Sequence, residues 1–550
     1  MRNLIFIFLF ICPFMYSAGQ SRGDSIIIRA MQDELKRTFN EFNHRYEDHK
    51  FSYMRYMAYD ISAVRINASM GALTTPIVKT GYRYISPIIL FNDTMQHSYV
   101  KNSVYPLSWY RTDMDTVYNS IRRYLWDISD VTYKKKYPDY VKLLSSDKVT
   151  NTDKSQEILE KHYVVRVPNT HKTDYRITRQ AVFDTIHWVN TAKSVSEEFE
   201  KYPFLHNTYI DIYNYNNKFY SVSSEDITLQ IPYQGASFKM EAYISDKDGI
   251  TDSMSITRVV TPGKSMPAKD DLKKDVNTIA KTLKNLSEAP AFNEYYNGPV
   301  LVEKEAVAKI FQILFLSYSN IIYGITGFYQ SSSNTDYTGK KILDSRLSVF
   351  AYGNMADSVD YEGFPKTQKI TFAEKGVLKT NFLSQIMPAK NSYPFGMTII
   401  SPPVVSESLF TQNMYLDKLH ITADDPSDYS DIQKQLISLA KKSKLKHVYI
   451  IRNEGSKILL YRKYIKSGKE ELLRNHSALS DLCSYYFSGI SILNPLEYVQ
   501  ASKEEYSSVT PLFFDNNNAV IITVPKAILF QNISITPYIN SYLRLKYNIL

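Results

Sequence analysis

Lys304, Glu305 and Lys309 place one carboxylate between two ammonium groups in the segment Tyr296-Asn-Gly298-Pro299-Val-Leu-Val-Glu303-Lys-Glu305-Ala-Val-Ala-Lys309-Ile-Phe311. A carboxylate so placed could act as a general base. The lysines argue against a metal centre in the same place. A bound ion needs lone-pair donors such as imidazole, thiolate or carboxylate, whereas an ammonium has no lone pair and repels a cation. Deprotonating both lysines would cost several kcal/mol. Without a metal, Glu305 has no polarised water to act on.

Other chemistry-bearing residues are dispersed. His420, His447, His476 and Cys483 could hold an ion only if the fold made them converge. Asp360 and Glu362 could form an acid pair, but Gly363-Phe-Pro365 directly after them reads as a turn. No G-x-S-x-G elbow occurs. Ser145-Ser-Asp-Lys148 and Lys79-Thr80-Gly81 stand in the wrong order, and too close, for a penicillin-binding serine enzyme. Thr338-Gly339-Lys340 lacks the first glycine of a P-loop, since position 334 is asparagine.

The elements that must position these groups follow from hydrophobic spacing. Ile28, Met31, Leu35, Phe39 and Phe42 recur every three to four residues and predict an amphipathic helix capped by Ser25. Phe51 to Leu90 reads as strands broken at Gly71, Pro76 and Gly81. A second helix carries Val117, Ile121, Leu125 and Ile128 on one face and is interrupted at Pro138. Asn216-Asn217 between two strand-like runs predicts a hairpin. Helices are expected at 269–286, at 306–315, and on the face Ile432, Leu436, Leu439, Ala440. Val448–Ile451 and Ile458–Tyr464 flank a turn at Asn453-Glu-Gly455-Ser456. The Gly298-Pro299 pair therefore stands shortly before the expected helix at 306–315.

Composition narrows the function classes. At 44% apolar and 22% charged the chain is an ordinary folding sequence. Only 18 glycines in 550 residues weaken any dinucleotide or P-loop architecture, and 45 tyrosines favour antiparallel sheet with half-exposed aromatic faces. The net charge of +9 is spread along the chain without the concentrated patch a nucleic-acid partner requires. Residues 1–19 carry Arg2, an apolar run Leu4–Ile11 and the small residues Ser17, Ala18 and Gly19, the pattern of a secretory signal peptide. The expectation is export, to the periplasm or outside the cell. Cleavage would remove Cys12 and leave Cys483 without a disulfide partner in the chain. No later segment is apolar for long enough to predict a transmembrane span. The longest candidate, 310–325, contains Gln312, Ser317, Ser319 and Asn320.

Taken in order, several short motifs resemble the TldD/PmbA family, which contains zinc peptidases and their metal-free partner subunits, and are most similar to its exported bacterial branch. They are Ala30-Met31-Gln-Asp33-Glu34-Leu35, Ser69-Met-Gly71-Ala72-Leu73, Leu125-Trp126-Asp127-Ile-Ser-Asp130, the 296–311 segment, Asp360-Tyr-Glu362-Gly363-Phe-Pro365, Glu374-Lys-Gly376-Val-Leu378, and Val524-Pro525-Lys-Ala-Ile-Leu529-Phe530. The resemblance spans nearly the whole chain after residue 19. It departs at Tyr393-Pro-Phe-Gly396-Met, where the family has a glycine-histidine-arginine turn, and in the last twelve residues. It implies an α+β fold: an N-terminal domain of mixed helices and antiparallel strands over 20–290 and a β-rich C-terminal domain over 291–550. It also implies a two-subunit assembly around a cavity that takes unfolded peptide. Active subunits of the family use H-E-x-x-x-H and a later cysteine for zinc. In this chain Lys304, Glu305 and Lys309 occupy the positions of that motif. The expectation is thus a subunit without zinc, paired with a zinc-bearing TldD-like paralogue. The alternatives are an active zinc peptidase using His420, His447, His476 and Cys483, and a stand-alone surface binding protein.

Overall fold

The computed structural model describes residues 22–45, 51–91, 110–147, 173–175, 183–245, 251–260, 265–316, 339–352, 369–379, 398–401, 411–414, 418–474, 497–512 and 515–537. The fold is α+β. The residues 1–19 expected to form a signal peptide lie outside the described residues. No helix among the described residues is long and apolar enough to cross a membrane.

In the N-terminal half the helices are α1 (Arg22–Arg45), α2 (Tyr118–Asp147), α3 (Thr185–Ser196) and α4 (Lys269–Glu288). The strands are β1 (Phe51–Ser69), β2 (Ala72–Leu73), β3 (Val78–Phe91), β4 (Tyr110–Thr112), β5 (Thr173–Tyr175), β6 (Leu205–Ser223), β7 (Thr228–Ser245) and β8 (Thr251–Val260). They form one sheet in the order β4-β3-β1-β6-β7-β5, with β2 on β1 and β8 on β7. Side chains alternate across a strand, so the even positions of β1 share a face. Met54, Tyr56 and Ala58 pack beneath α1 and α2, while Ile66 and Ala68 pack beneath α3 and α4. One sheet face thus carries both helix pairs.

Four local expectations change in this half. The first helix starts at Arg22, so Ser25 lies inside it. Asp24 in its first turn is buried and accepts hydrogen bonds from Lys218 Nζ at 3.0 Å, Tyr220 Oη at 2.6 Å and Gln230 Nε2 at 3.0 Å. Gly81 lies within β3, paired with Ser62. Pro138 lies within α2, which continues past it to Asp147. Asn216-Asn217 is no hairpin: β6 runs straight through. Asn217 Oδ1 accepts the Ser62 backbone N–H at 3.0 Å, and Gln234 Nε2 donates to Asn216 Oδ1 at 2.6 Å. The β6–β7 turn is at 224–227, where Asp226 takes φ 56°. The β1–β2 turn has positive φ at both Met70 and Gly71, the twist that tight hairpins need.

In the C-terminal half the strands are β9 (Tyr296–Glu303), β10 (Leu347–Tyr352), β11 (Lys369–Glu374), β12 (Val377–Leu378), β13 (Thr398–Ser401), β14 (Thr411–Met414), β15 (Lys418–Ala423), β16 (His447–Glu454), β17 (Lys457–Tyr464), β18 (Glu470–Leu473), β19 (Tyr498–Ala501), β20 (Glu505–Leu512), β21 (Asp515–Pro525) and β22 (Ala527–Ile535). The helices are α5 (Glu305–Leu316) and α6 (Tyr429–Lys442). A second sheet runs β12-β11-β10-β15-β21-β20 and a third β18-β17-β16-β9-β22-β19, with β13 and β14 paired apart from both. Val300 and Val302 of β9 join the core around α5, together with Leu419, Ile421, Val520 and Ile522 of the second sheet. Leu301 between them faces the other way, onto Ile432, Leu436 and Ala440 of α6. The layers are therefore α6, third sheet, α5, second sheet. All three β9 side chains are fully buried, each worth about 1.5–3 kcal/mol.

Candidate functional site

The 296–311 segment is the strand β9, a one-residue junction and the helix α5. Tyr296 folds back so that its hydroxyl donates to the Pro299 carbonyl at 2.8 Å. It lies so close over Gly298 that a Cβ there would sit 2.9 Å from its oxygen. Pro299 falls at the irregularity between the Gly298–Ile533 and Val300–Phe530 pairs of β9 and β22, and the parallel pairing with β16 begins only at Val300. A proline without an N–H is tolerated at such a break in the ladder. The two residues thus have a local structural reason to be there.

Lys304 turns the chain from strand to helix. Its φ is 51°, a left-handed conformation that costs a non-glycine residue roughly 1–3 kcal/mol. Its N–H donates to the Lys526 carbonyl at 2.7 Å, and its carbonyl accepts from Val307 and Ala308 at the start of α5. The Lys304 side chain is exposed, whereas Glu305 and Lys309 are half-buried. Burial raises the Glu305 carboxyl above its ordinary range; a hydrogen bond from Asn453 and the charge of Lys309 oppose the rise, and Glu454 adds to it. Lys309 Nζ donates to Gln312 Oε1 at 3.1 Å. Glu305 does not face solvent: it is half-buried and turned towards the β16–β17 hairpin.

That hairpin contacts both halves. Thr282 Oγ1 of α4 donates to Glu454 Oε2 at 2.6 Å, and Lys457 pairs with Asp252 of β8. At the end of β9, Glu303 is buried and accepts Arg452 Nε at 2.7 Å and the Tyr429 hydroxyl; Arg452 also donates to Glu470 at 2.9 Å. On the connection into β9, Glu294 accepts Arg462 at 3.1 Å and the Tyr449 hydroxyl and lies 3.0 Å from His447 Nε2. Burial pushes the Glu294 carboxyl up, but the Tyr449 hydrogen bond and the His447 and Arg462 charges outweigh it, and the net shift is downward. Sequence spacing does not reveal this group, because Glu294 and Arg462 are 168 positions apart. The continuous apolar runs of β9 and β16, Val300–Val302 and Val448–Ile451, were the available signal that these strands are buried on both faces.

His447 is thus engaged by Glu294 in the third sheet, while His420 lies on β15 of the second sheet, 2.8 Å from Glu505. The structure does not bring these two histidines to a common point. His476 and Cys483, the other members of the scattered set, lie outside the described residues, as do Asp360, Glu362 and Gly363.

No protein-family model matches the sequence, and no curated protein matches it. Solved structures do. A putative modulator of a DNA gyrase from Thermotoga maritima superposes with TM-score 0.54 at 11% identity, covering 92% of this chain and 100% of that one. TldE from Thermococcus kodakarensis gives TM-score 0.52 at 11% identity, with 92% and 100% covered. A putative modulator of DNA gyrase from Bacteroides thetaiotaomicron gives 0.52 at 11%, with 94% and 99% covered. These likenesses support the TldD/PmbA fold for both halves. At this identity they speak of the fold, and the chemistry must be argued from the residues present.

Proposed function

We propose that this chain is the zinc-less subunit of an exported two-subunit peptidase assembly, and that it holds unfolded peptide for a zinc-bearing TldD-like paralogue. One observation supports the reading: the fold is shared with TldE, and by the sequence resemblance Lys304 and Lys309 fall where the family's zinc motif has histidine. The retained Glu305 lies against the Asn453 amide and Lys309, which suits a strut better than a base. Peptide backbone held by addition to a sheet edge needs little sequence specificity, as a general scaffold for unfolded chains requires. Export rests on the composition of residues 1–19.

The test is metal analysis and reconstitution. The purified chain alone is expected to hold no stoichiometric zinc and to leave unfolded peptide intact, and to raise turnover when mixed with a paralogue bearing an intact H-E-x-x-x-H. One tightly bound zinc per chain, with peptidase activity lost to a chelator, would overturn the proposal.

A further inference from the structure

The far face of the second sheet, turned away from α5, carries side chains that the peptidase reading does not use. Register fixes which residues share it. Lys369 of β11 is opposite Tyr352 of β10, and Tyr352 is opposite Lys418 of β15. Lys418 is level with Ile521 of β21, and Ile521 is opposite Val509 of β20. This row crosses five adjacent strands, about 19 Å at ~4.8 Å per strand. Beside it runs Phe350, His420, Thr523 and Ser507. The alternate residues, Ala351, Ile370, Leu419 and Ile522, are buried towards α5.

The row has a chemical direction. At one end Lys369 Nζ lies 3.9 Å from the centroid of the Phe350 ring and 6.0 Å from that of Tyr352, and Lys418 Nζ lies 6.0 Å from Tyr352. Among the described residues these ammonium groups contact rings rather than carboxylates. Glu505, on the same face, is already engaged by His420. At the other end Ile521 and Val509, directly opposite one another, are 39% and 53% exposed. Beyond β11 the basic character continues. Lys340, Lys341, Lys375 and Lys379 are exposed around the edge strand β12, with Glu374 among them. The Leu378 N–H donates to the Lys340 carbonyl, and Lys341 bridges to Val377.

We propose that this face docks an extended acidic segment of a partner polypeptide. Its carboxylates would meet Lys369 and Lys418, and an apolar side chain would cover Ile521 and Val509. Charge complementarity selects the occupant. The rings hold the ammonium groups above the sheet without neutralising them, so incoming carboxylates gain charge-assisted hydrogen bonds. The positive-to-aliphatic order along the row sets the direction in which the segment lies. Two aliphatic side chains on a flat sheet give a bilayer little to hold, so a peptide is preferred to an anionic membrane. The inference does not depend on whether α5 is catalytic.

Fluorescence anisotropy tests it on the purified full chain. The probe is a labelled peptide of alternating Asp or Glu and Val or Leu, compared with its Asn/Gln counterpart. The acidic peptide is expected to bind at least about tenfold tighter than the amide peptide, and to weaken as salt rises. The double variant Lys369→Glu/Lys418→Glu should lose that margin, and Ile521→Ser should weaken binding several-fold. The neutral pair Lys369→Gln/Lys418→Gln, with an unshifted thermal midpoint, guards against a folding defect and should also lose the margin. Equal binding of the two peptides, undiminished binding by both double variants, or stronger binding to phosphatidylglycerol vesicles than to the peptide would each overturn the proposal.

Discussion

Ser255 and Ser456 exchange a pair of hydrogen bonds across the junction of the two halves. The Ser456 N–H donates to the Ser255 carbonyl at 2.8 Å, and the Ser255 N–H donates to Ser456 Oγ at 2.8 Å. The turn of the β16–β17 hairpin thereby caps the free edge of β8, and with it come Glu454 on α4 and Lys457 on β8. The same hairpin supplies Asn453 to Glu305, so the start of α5 and the interface between the halves share one short loop.

Gly455 in that loop has φ 53° and lies so close to the Ser255 carbonyl that a Cβ would overlap it. Gly455→Ala is expected to destabilise the protein by about 2–3 kcal/mol, part backbone strain and part lost docking. Ser456→Ala, which loses one hydrogen bond, should cost about 1 kcal/mol. Urea unfolding followed separately by probes in each half checks this. An unchanged midpoint in Gly455→Ala would show that the turn does not couple them.

Two glutamates, one just before the 296–311 segment and one within it, should respond to pH with opposite sign. Glu305 is raised above its ordinary 4.5, so the folded state binds its proton more tightly than the unfolded chain does. The resulting stabilisation is full below about pH 4.5 and is lost as pH rises through the folded value. Glu294 is lowered from the same 4.5, so its contribution is present above that value and lost as pH falls through the folded one. Relative to the parent, Glu305→Gln should therefore gain stability on going from acid to neutral pH, while Glu294→Gln should lose it. Denaturant midpoints of both variants between pH 3.5 and 7.5 settle the signs.

Lys304 supplies a test of backbone against side chain. Since the side chain is exposed and the conformation left-handed, Lys304→Val should destabilise by about 1–2 kcal/mol, because a β-branched residue tolerates that region least. Lys304→Gly should be neutral or stabilising by up to about 1 kcal/mol. Equal stability for valine and glycine would mean that the strand-to-helix junction is not built on that torsion.

The Gly298-Pro299 pair makes a separate prediction. Gly298→Ala must displace the Tyr296 ring and its bond to the Pro299 carbonyl, at a cost of about 1–3 kcal/mol. Tyr296→Phe removes only the hydroxyl and should cost about 0.5–1.5 kcal/mol. Thermal melts that rank the two the other way would contradict the packing described.

The elements were legible where local pattern and tertiary environment agree. The α4 and α6 helices follow their apolar spacing, and the turn at Asn453–Ser456 follows its glycine. The errors share a cause. Asn216-Asn217 has the composition of a turn, but Asn217 is held in a continuous strand by an N–H from Ser62, 155 positions away. Pro138 interrupts the sequence pattern, yet α2 runs through it, since the loss of one backbone bond does not outweigh a helix anchored by Ile121, Leu125 and Ile128 on the sheet. Of the candidate site, the residue types at 304, 305 and 309 were fully readable. The turn of Glu305 inward to Asn453 was not, because nothing local to α5 encodes the position of a hairpin almost 150 residues later. The Glu294 and Arg452 networks depend in the same way on strand order.

The α5 helix, held between two sheets, divides its positions into two independent sets. Ala306, Val307, Ile310, Phe311 and Phe315 fill the space between the layers, while Lys304, one residue before the helix, is exposed and Lys309 is half-buried against Gln312. A helix arranged in this way works as a socket whose fitting can be exchanged. Chemistry can be gained or lost outside that packed set while the frame keeps its shape, and the survival of the fold says nothing about whether the reaction survived with it.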